Sequence, residues 1–148
     1  MKKAKKINYF RLVIPSKSVN EGFSRSVVAA FSALADPDFE ALSDIKTSVS
    51  EAVTNCIVHA YKEKNGEIFI TGELFDDGTL RVKIRDKGCG IENIARAREP
   101  LFTTSSDERS GLGFSVMESF SDRLSVRSKF GVGTVITITK YINKQDRI

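Results

Sequence analysis

Four short stretches hold residues whose types and spacing could handle a nucleotide. Asp86 is followed at once by Lys87, Gly88, Cys89 and Gly90, at the end of an alternating apolar run. Two glycines there let the backbone turn sharply and come close to a flat ligand. A carboxylate so placed can accept a hydrogen bond from an exocyclic amine, while a plain structural turn is the other reading of an Asp-x-Gly-x-Gly run. Further on, Gly111 and Gly113 open an apolar helix, where free N–H groups and the helix dipole favour phosphate. Upstream, Glu51 and Asn55 lie four residues apart within a helical pattern. Asn can give a neutral oxygen to a Mg²⁺ that keeps waters and takes phosphate oxygens. Glu can take a proton from an attacking hydroxyl or water. Each stretch is weak alone; their order and separation are what point to a nucleotide.

Those residues need a scaffold, and the pattern supplies one. Ile7 to Ile14, stopped by Pro15, predicts a strand at a sheet edge, apolar enough to need a cover. Ser18 to Glu21 has the form of a capping box. Val19, Phe23, Val27, Ala30, Phe31 and Leu34 then predict a first amphipathic helix with Ser24, Arg25 and Ser32 facing outward. Arg25 by itself reads as a solvated charge. A second helix runs from about Phe39 to Tyr61, its apolar stripe centred on Val49 and Val53, with Glu51 and Asn55 together on the far side beside Val58. Glu67 to Leu74 and Thr79 to Arg85 predict a hairpin turning at Asp76, Asp77 and Gly78 and leading straight into Asp86. From Ile91 to Ser110 periodicity is lost, which in a compact domain marks a functional or mobile loop. Leu112 to Phe120 predicts a helix with Val116, Met117 and Phe120 inward, and a last hairpin joins Arg123 to Ser128 with Thr134 to Tyr141. The order predicts a two-layer α/β (α+β) sandwich, one mixed sheet with helices on one face.

The chain has 148 residues, 41% hydrophobic and 28% charged, so one domain with one core is expected over 1–148. Cys56 and Cys89 are the two cysteines, with His59 the one histidine, too few for a zinc site. Free thiols and no secretory signal lead to an expected cytoplasmic location. No apolar run is long enough to span a membrane. The net charge of +4 is attributed to Lys2, Lys3, Lys5 and Lys6 in a solvated basic tail over 1–6. Basic residues along one element interleaved with aromatics are not found, so direct nucleic-acid binding is not expected.

Together the motifs resemble the Bergerat-type (GHKL) ATP-binding fold shared by gyrase B, Hsp90, MutL and histidine kinases. Glu51-Ala-Val-Thr-Asn55 resembles its N box, Asp86 to Gly90 the first glycine box, Gly111 to Phe114 the second, and Gly131 to Thr134 the closing Gly-Thr element. Val49 to Asn55, Pro100 to Thr104 and Glu108 to Phe114 are closer still to the small anti-sigma serine kinases of sporulating Gram-positive bacteria. That resemblance implies a MgATP-dependent protein serine kinase that sequesters a sigma factor of the sporulation (sigma F) type as a homodimer. It would phosphorylate a serine on a STAS-domain anti-anti-sigma antagonist. It implies Glu51 as general base and Arg109, in a lid over 91–110, on the γ-phosphate. Asn55 would be the magnesium ligand. Asp86 would accept from adenine N6, with Gly88, Gly90 and Thr134 supporting the ring. Thr103, Thr104, Ser110, Gly111, Leu112 and Gly113 would surround the phosphates, and Arg25 becomes a contact for both protein partners. Other readings are a general-stress (sigma B type) kinase, an ATP-gated binding module without transfer, and a stand-alone ATPase. A retained Glu51 favours the kinase, and the lack of a second domain disfavours the ATPase.

Overall fold

The computed structural model describes residues 3–99 and 113–142. Five strands, β1 (Lys6–Pro15), β2 (Glu67–Phe75), β3 (Thr79–Asp86), β4 (Arg123–Lys129) and β5 (Gly133–Tyr141), form one sheet in the order β1-β2-β3-β5-β4. Helices α1 (Val19–Ser32), α2 (Phe39–Asn55) and α4 (Gly113–Phe120) cover one face; α3 (Ile94–Ala97) is a single turn beyond Asp86. The expected mixed sheet is corrected here, because every adjacent pair is antiparallel. The crossover from β3 through α4 does return a strand, β4, in the direction of β3. β5 then folds back between the two, so the parallel strands never touch.

The hairpin follows the expected register, with Ile70 opposite Ile84, Gly72 opposite Val82 and Leu74 opposite Leu80. Ile70, Leu74, Leu80, Val82 and Ile84 meet Ile45, Val49 and Val53 of α2 and Met117 of α4 in one apolar cluster. Truncating one of them to Ala would cost about 2–5 kcal/mol. At the edge, Phe10 rests on Gly72, where a Cβ would collide with its ring, and meets Phe31 edge-on at 4.8 Å. Lys140 of β5 points inward, bonding Asp44 of α2 at 2.8 Å and the Phe120 carbonyl at 3.1 Å. That ion pair fixes the helix layer over the sheet.

The inward face of α1 differs from the apolar stripe. Ser24 and Ser32 are fully buried, donating to the carbonyls of Glu21 and Val28, whereas Val19, Phe23 and Leu34 are exposed. Small hydroxyls that satisfy themselves on their own helix pack as closely as alanine, and composition alone cannot reveal that. The capping box does not form either; Ser18 makes no side-chain cap and Glu21 instead pairs with Arg25 at 3.1 Å. On α4, Met117 is buried but Phe120 is 39% exposed, since the helix ends there.

Candidate nucleotide site

The last turn of the α2 segment is not α-helical. Residues Cys56–Ala60 form a π-helical turn that carries the chain from Asn55 to Tyr61. The Ala60 carbonyl accepts from Cys89 N–H at 3.0 Å, and a Cβ on Gly88 would strike that same carbonyl. Only glycine lets the Asp86 turn lie so close against α2. Gly90 has φ +74°, and a Cβ there would meet the Lys129 carbonyl, so the turn also rests on the β4–β5 tip. From below, the Tyr61 hydroxyl accepts from Lys87 N–H at 2.7 Å and donates to the Glu67 carbonyl.

Asp86 sits at the centre, 5% exposed. Its Oδ1 accepts from Gly88 N–H at 3.0 Å and Thr134 N–H at 3.2 Å. Its Oδ2 accepts from the buried Cys56 thiol at 3.7 Å, which leaves lone-pair capacity on that oxygen. Burial raises the Asp86 carboxyl above its usual range, with the Gly88 N–H, the Cys56 thiol and the Thr134 N–H pulling the other way. Burial, then the charge of Asp86, pushes the Cys56 thiol well up, so it stays a donor. Ser128 ties two neighbouring residues together: its hydroxyl accepts from Ile91 N–H at 2.7 Å and lies 2.8 Å from the Thr134 hydroxyl.

Asp86, Gly90, Thr134 and Asn55 line a cavity of about 620 Å³. Its other walls include Ile91, Phe114, Phe130 and Ile136, apolar surfaces suited to a flat ring. Asn55 is 92% buried by the complement of its 8% exposure, yet its Nδ2 has no hydrogen-bond partner. Its amide lies against Gly113, where a Cβ would be 3.1 Å from Oδ1. A buried amide without a partner costs about 1–3 kcal/mol, which a ligand in the cavity could return. Among the described residues no cluster of three or more His, Cys, Asp or Glu could hold a metal. The donor set therefore suits an ion that brings its own waters and phosphate ligands, for which one amide oxygen is enough.

The structure brings Asn55, Asp86, Gly90 and Thr134 to one cavity, with Gly88 behind the turn and Gly113 against Asn55. Glu51, one helical turn before Asn55, lines a separate depression of about 460 Å³ with Arg25 and Ser50. Arg25 bonds Ser50 at 3.3 Å, linking α1 to α2 there. Thr103, Thr104, Arg109, Ser110, Gly111 and Leu112 lie outside the described residues. Sequence reasoning missed Cys56, Tyr61, Ser128 and Phe130, because strand pairing and the π turn create their roles. It also missed α3, although Asn93 does signal it by capping the Arg96 N–H at 3.1 Å.

The sequence profile of the histidine kinase-like ATPase domain matches residues 16–140. An anti-sigma F factor of Caldanaerobacter subterraneus subsp. tengcongensis is 50% identical over 138 residues, covering 93% of this chain and 96% of the relative. The anti-sigma F factor of Clostridium acetobutylicum is 47% identical over 134 residues, covering 90% of this chain and 93% of its own. Among solved structures, the RsbU and RsbW domains of a Mycobacterium tuberculosis protein superpose with a TM-score of 0.67 at 18% identity. That match covers 92% of this chain and 33% of the other. A histidine kinase domain from Erythrobacter litoralis gives a TM-score of 0.57 at 20% identity, over 86% of this chain and 63% of that one. At such identities the two structures speak for the fold alone.

Proposed function

Since the chain belongs to the anti-sigma F factors, within the histidine kinase-like ATPase family, we propose that it is an ATP-dependent protein serine kinase and anti-sigma factor. It sequesters a sporulation sigma factor as a homodimer, and phosphorylates a serine on a STAS-domain anti-anti-sigma protein. The observation that carries the ATP reading is Asp86. It is a buried carboxylate with one oxygen occupied by two backbone N–H groups and the other with capacity left, on an apolar cavity of nucleotide size. Such an acceptor matches an exocyclic amine and rejects a carbonyl in its place.

In this reading the adenine lies between Ile91, Phe114, Phe130 and Ile136, with its amine on Asp86 Oδ2. Asn55 holds Mg²⁺ through its amide oxygen, and the bound ion supplies neutralising charge to the phosphates. Gly113, at the start of α4, and Gly111 before it offer N–H groups to the same phosphates. Thr103, Thr104, Ser110 and Leu112 complete that surround, and Arg109 meets the γ-phosphate, where charge neutralisation dominates phosphoryl transfer. Glu51 takes the proton of the acceptor serine as its oxygen forms the bond to the γ-phosphorus and the bond to ADP breaks. Its place on the Arg25 depression suits an acceptor that arrives bound to another protein, and Arg25 contacts that protein. The apolar outer residues of β1, Ile7, Tyr9 and Val13, are exposed and offer a second copy a surface to cover.

The test is intact mass spectrometry of a STAS-domain protein from the same genome after incubation with this chain and MgATP, wild type and Glu51→Ala. One phosphoryl group added by wild type alone supports the kinase with Glu51 as base. No addition, with ATP binding shown separately, would replace it with an ATP-gated binding module.

A further inference from the structure

The uncovered face of the sheet carries charge that the linear sequence hides. Outward positions of β3 are Arg81, Lys83 and Arg85, continued by Lys87. Those of β4 include Arg123, Arg127 and Lys129. β5 lies between, and the registers align the two rows across it. Arg81 and Arg123 both stand opposite Thr139, and Arg85 and Arg127 both stand opposite Val135. The result is two cationic rails about 9.5 Å apart, with cations every ~7 Å along β3. Thr137 puts a hydroxyl in the trough between them, and Ser125 stands beside it within the β4 row. The carboxylate paired with Arg81 across the sheet, Glu73 of β2, is engaged by Lys6 at 3.2 Å. Seven cations in the rails exceed the net +4 of the whole chain, so the rest of the molecule is net acidic. The surplus attributed to the tail thus has a second home on this face.

Two rows of one sign repel themselves, and holding them together costs stability that a polyanion would recover. Aromatic rings accompany the rails. Arg85 lies over Phe69 at 4.5 Å and Arg81 over Phe75 at 4.9 Å, with Lys87 also on Phe69 at 5.0 Å. Guanidinium groups and rings gathered side by side offer stacking surfaces of the kind that unpaired bases use. A row of a single sign, unbroken along β3 and interrupted by Ser125 alone along β4, suits a polymer charged at every repeat better than a folded protein, whose carboxylates are irregularly placed among lysines.

We propose that the β3–β5–β4 side of the open sheet face, at the far edge from the β1 residues offered to a second copy, is a binding surface for single-stranded nucleic acid, tracked by the β3 and β4 rails independently of the nucleotide cavity. It is tested by fluorescence anisotropy with labelled oligo(dT) and oligo(U) of about 20 nucleotides, longer than the site of one small fold. Five phosphate contacts give a log–log salt slope near −3.5, so affinity should fall about 100-fold between roughly 50 and 200 mM salt. Replacing Arg81, Arg85, Arg123 and Arg127 with Gln should flatten that slope by about 0.7 per residue and weaken low-salt binding at least ~10-fold. Replacing the same four with Lys should keep the slope. None of the four lines the cavity, so binding of a fluorescent ATP analogue should be unchanged in both variants. A preference between the DNA and RNA probes would identify the source, either one supporting the surface. The proposal falls if wild type gives no anisotropy change at low salt. It falls also if Lys2, Lys3 and Lys5 replaced by Gln, rather than the rail variant, abolishes binding. Displacement of the oligonucleotide by polyglutamate at equal charge would overturn it in favour of an acidic protein.

Discussion

Replacing Asp86 with Asn isolates adenine recognition from folding. The two backbone donors, Gly88 N–H at 3.0 Å and Thr134 N–H at 3.2 Å, both point at Oδ1. An asparagine must keep its carbonyl oxygen there, because turning the amide over would set its NH₂ against both backbone donors in a buried turn. Its NH₂ then takes the place of Oδ2 and faces the adenine amine, donor against donor. Losing a hydrogen bond to a charged acceptor costs about 1.5–3 kcal/mol, and a buried donor left unmatched adds about 1–3. Taking ~3 kcal/mol in all gives a loss of about 100-fold in ATP affinity. The new NH₂ can donate to a carbonyl at the same ring position, so ITP should not share the loss, and the ATP-to-ITP ratio should fall by at least the same ~100-fold. Calorimetric titration of both nucleotides into wild type and variant reads this directly, with urea unfolding as a check that the turn survives. ATP affinity within threefold of wild type, or equal losses for ATP and ITP, would refute the reasoning.

The same carboxyl gives a pH signature of two opposite signs. Its folded pKa is raised by burial, so between the ordinary carboxylate value and the raised one the native chain binds more protons than the unfolded chain. Its contribution to stability is therefore present at low pH and is lost as pH rises through that window. The unfolding free energy of wild type minus Asp86→Asn should decline over the same range, whereas ATP affinity of wild type should fall on acidification as Oδ2 takes a proton. Glu51→Gln should bind ATP within about twofold of wild type and lose roughly 10²–10⁴-fold in transfer rate, read by phosphorylation of the STAS-domain acceptor. Gly90→Ala, with φ +74° and a Cβ directed at the Lys129 carbonyl, should cost ~3 kcal/mol in urea unfolding from left-handed strain and overlap together. Lys140→Met strands Asp44 and should cost about 3–5 kcal/mol, most of it recovered by also replacing Asp44 with Leu.

Much of the layout was legible because alternation and helical spacing are local. β2 and β3 could be read with their register, since the turn at Asp77 and Gly78 fixes both. Asp86 and Asn55 were legible as candidates because a carboxylate between a strand and two glycines, or an amide four residues after an acid on one helix face, is conspicuous in one dimension, whereas Thr134 came only through the resemblance of Gly131 to Thr134 to a known motif. What stayed hidden depends on contacts distant in sequence. Cys56, 30 positions before Asp86, became its partner only in the fold, and Ser128 a partner of Ile91 and Thr134 only once β4 had paired with β5. The inward serines of α1 defeated the apolar count, because their hydroxyls satisfy themselves on the helix. The cationic rails were invisible for a related reason: two separate, ordinary alternations become one surface only when β5 sets them in register.

The π-helical turn at Cys56–Ala60 makes the spacing of this site a matter of counting residues as well as choosing them. Such a turn holds one residue more than an α-helical path would use. Removing one residue there would let the helix revert to its ordinary winding with Tyr61 kept in nearly the same phase, but adding one, which the wide turn has already done once, would rotate everything beyond by about 100°. The Ala60 carbonyl would swing away from Cys89, and His59 and Lys62 would leave the cavity wall, although Asp86 and both its glycines were untouched. Within those five positions a further insertion is therefore closed, whatever residue it adds.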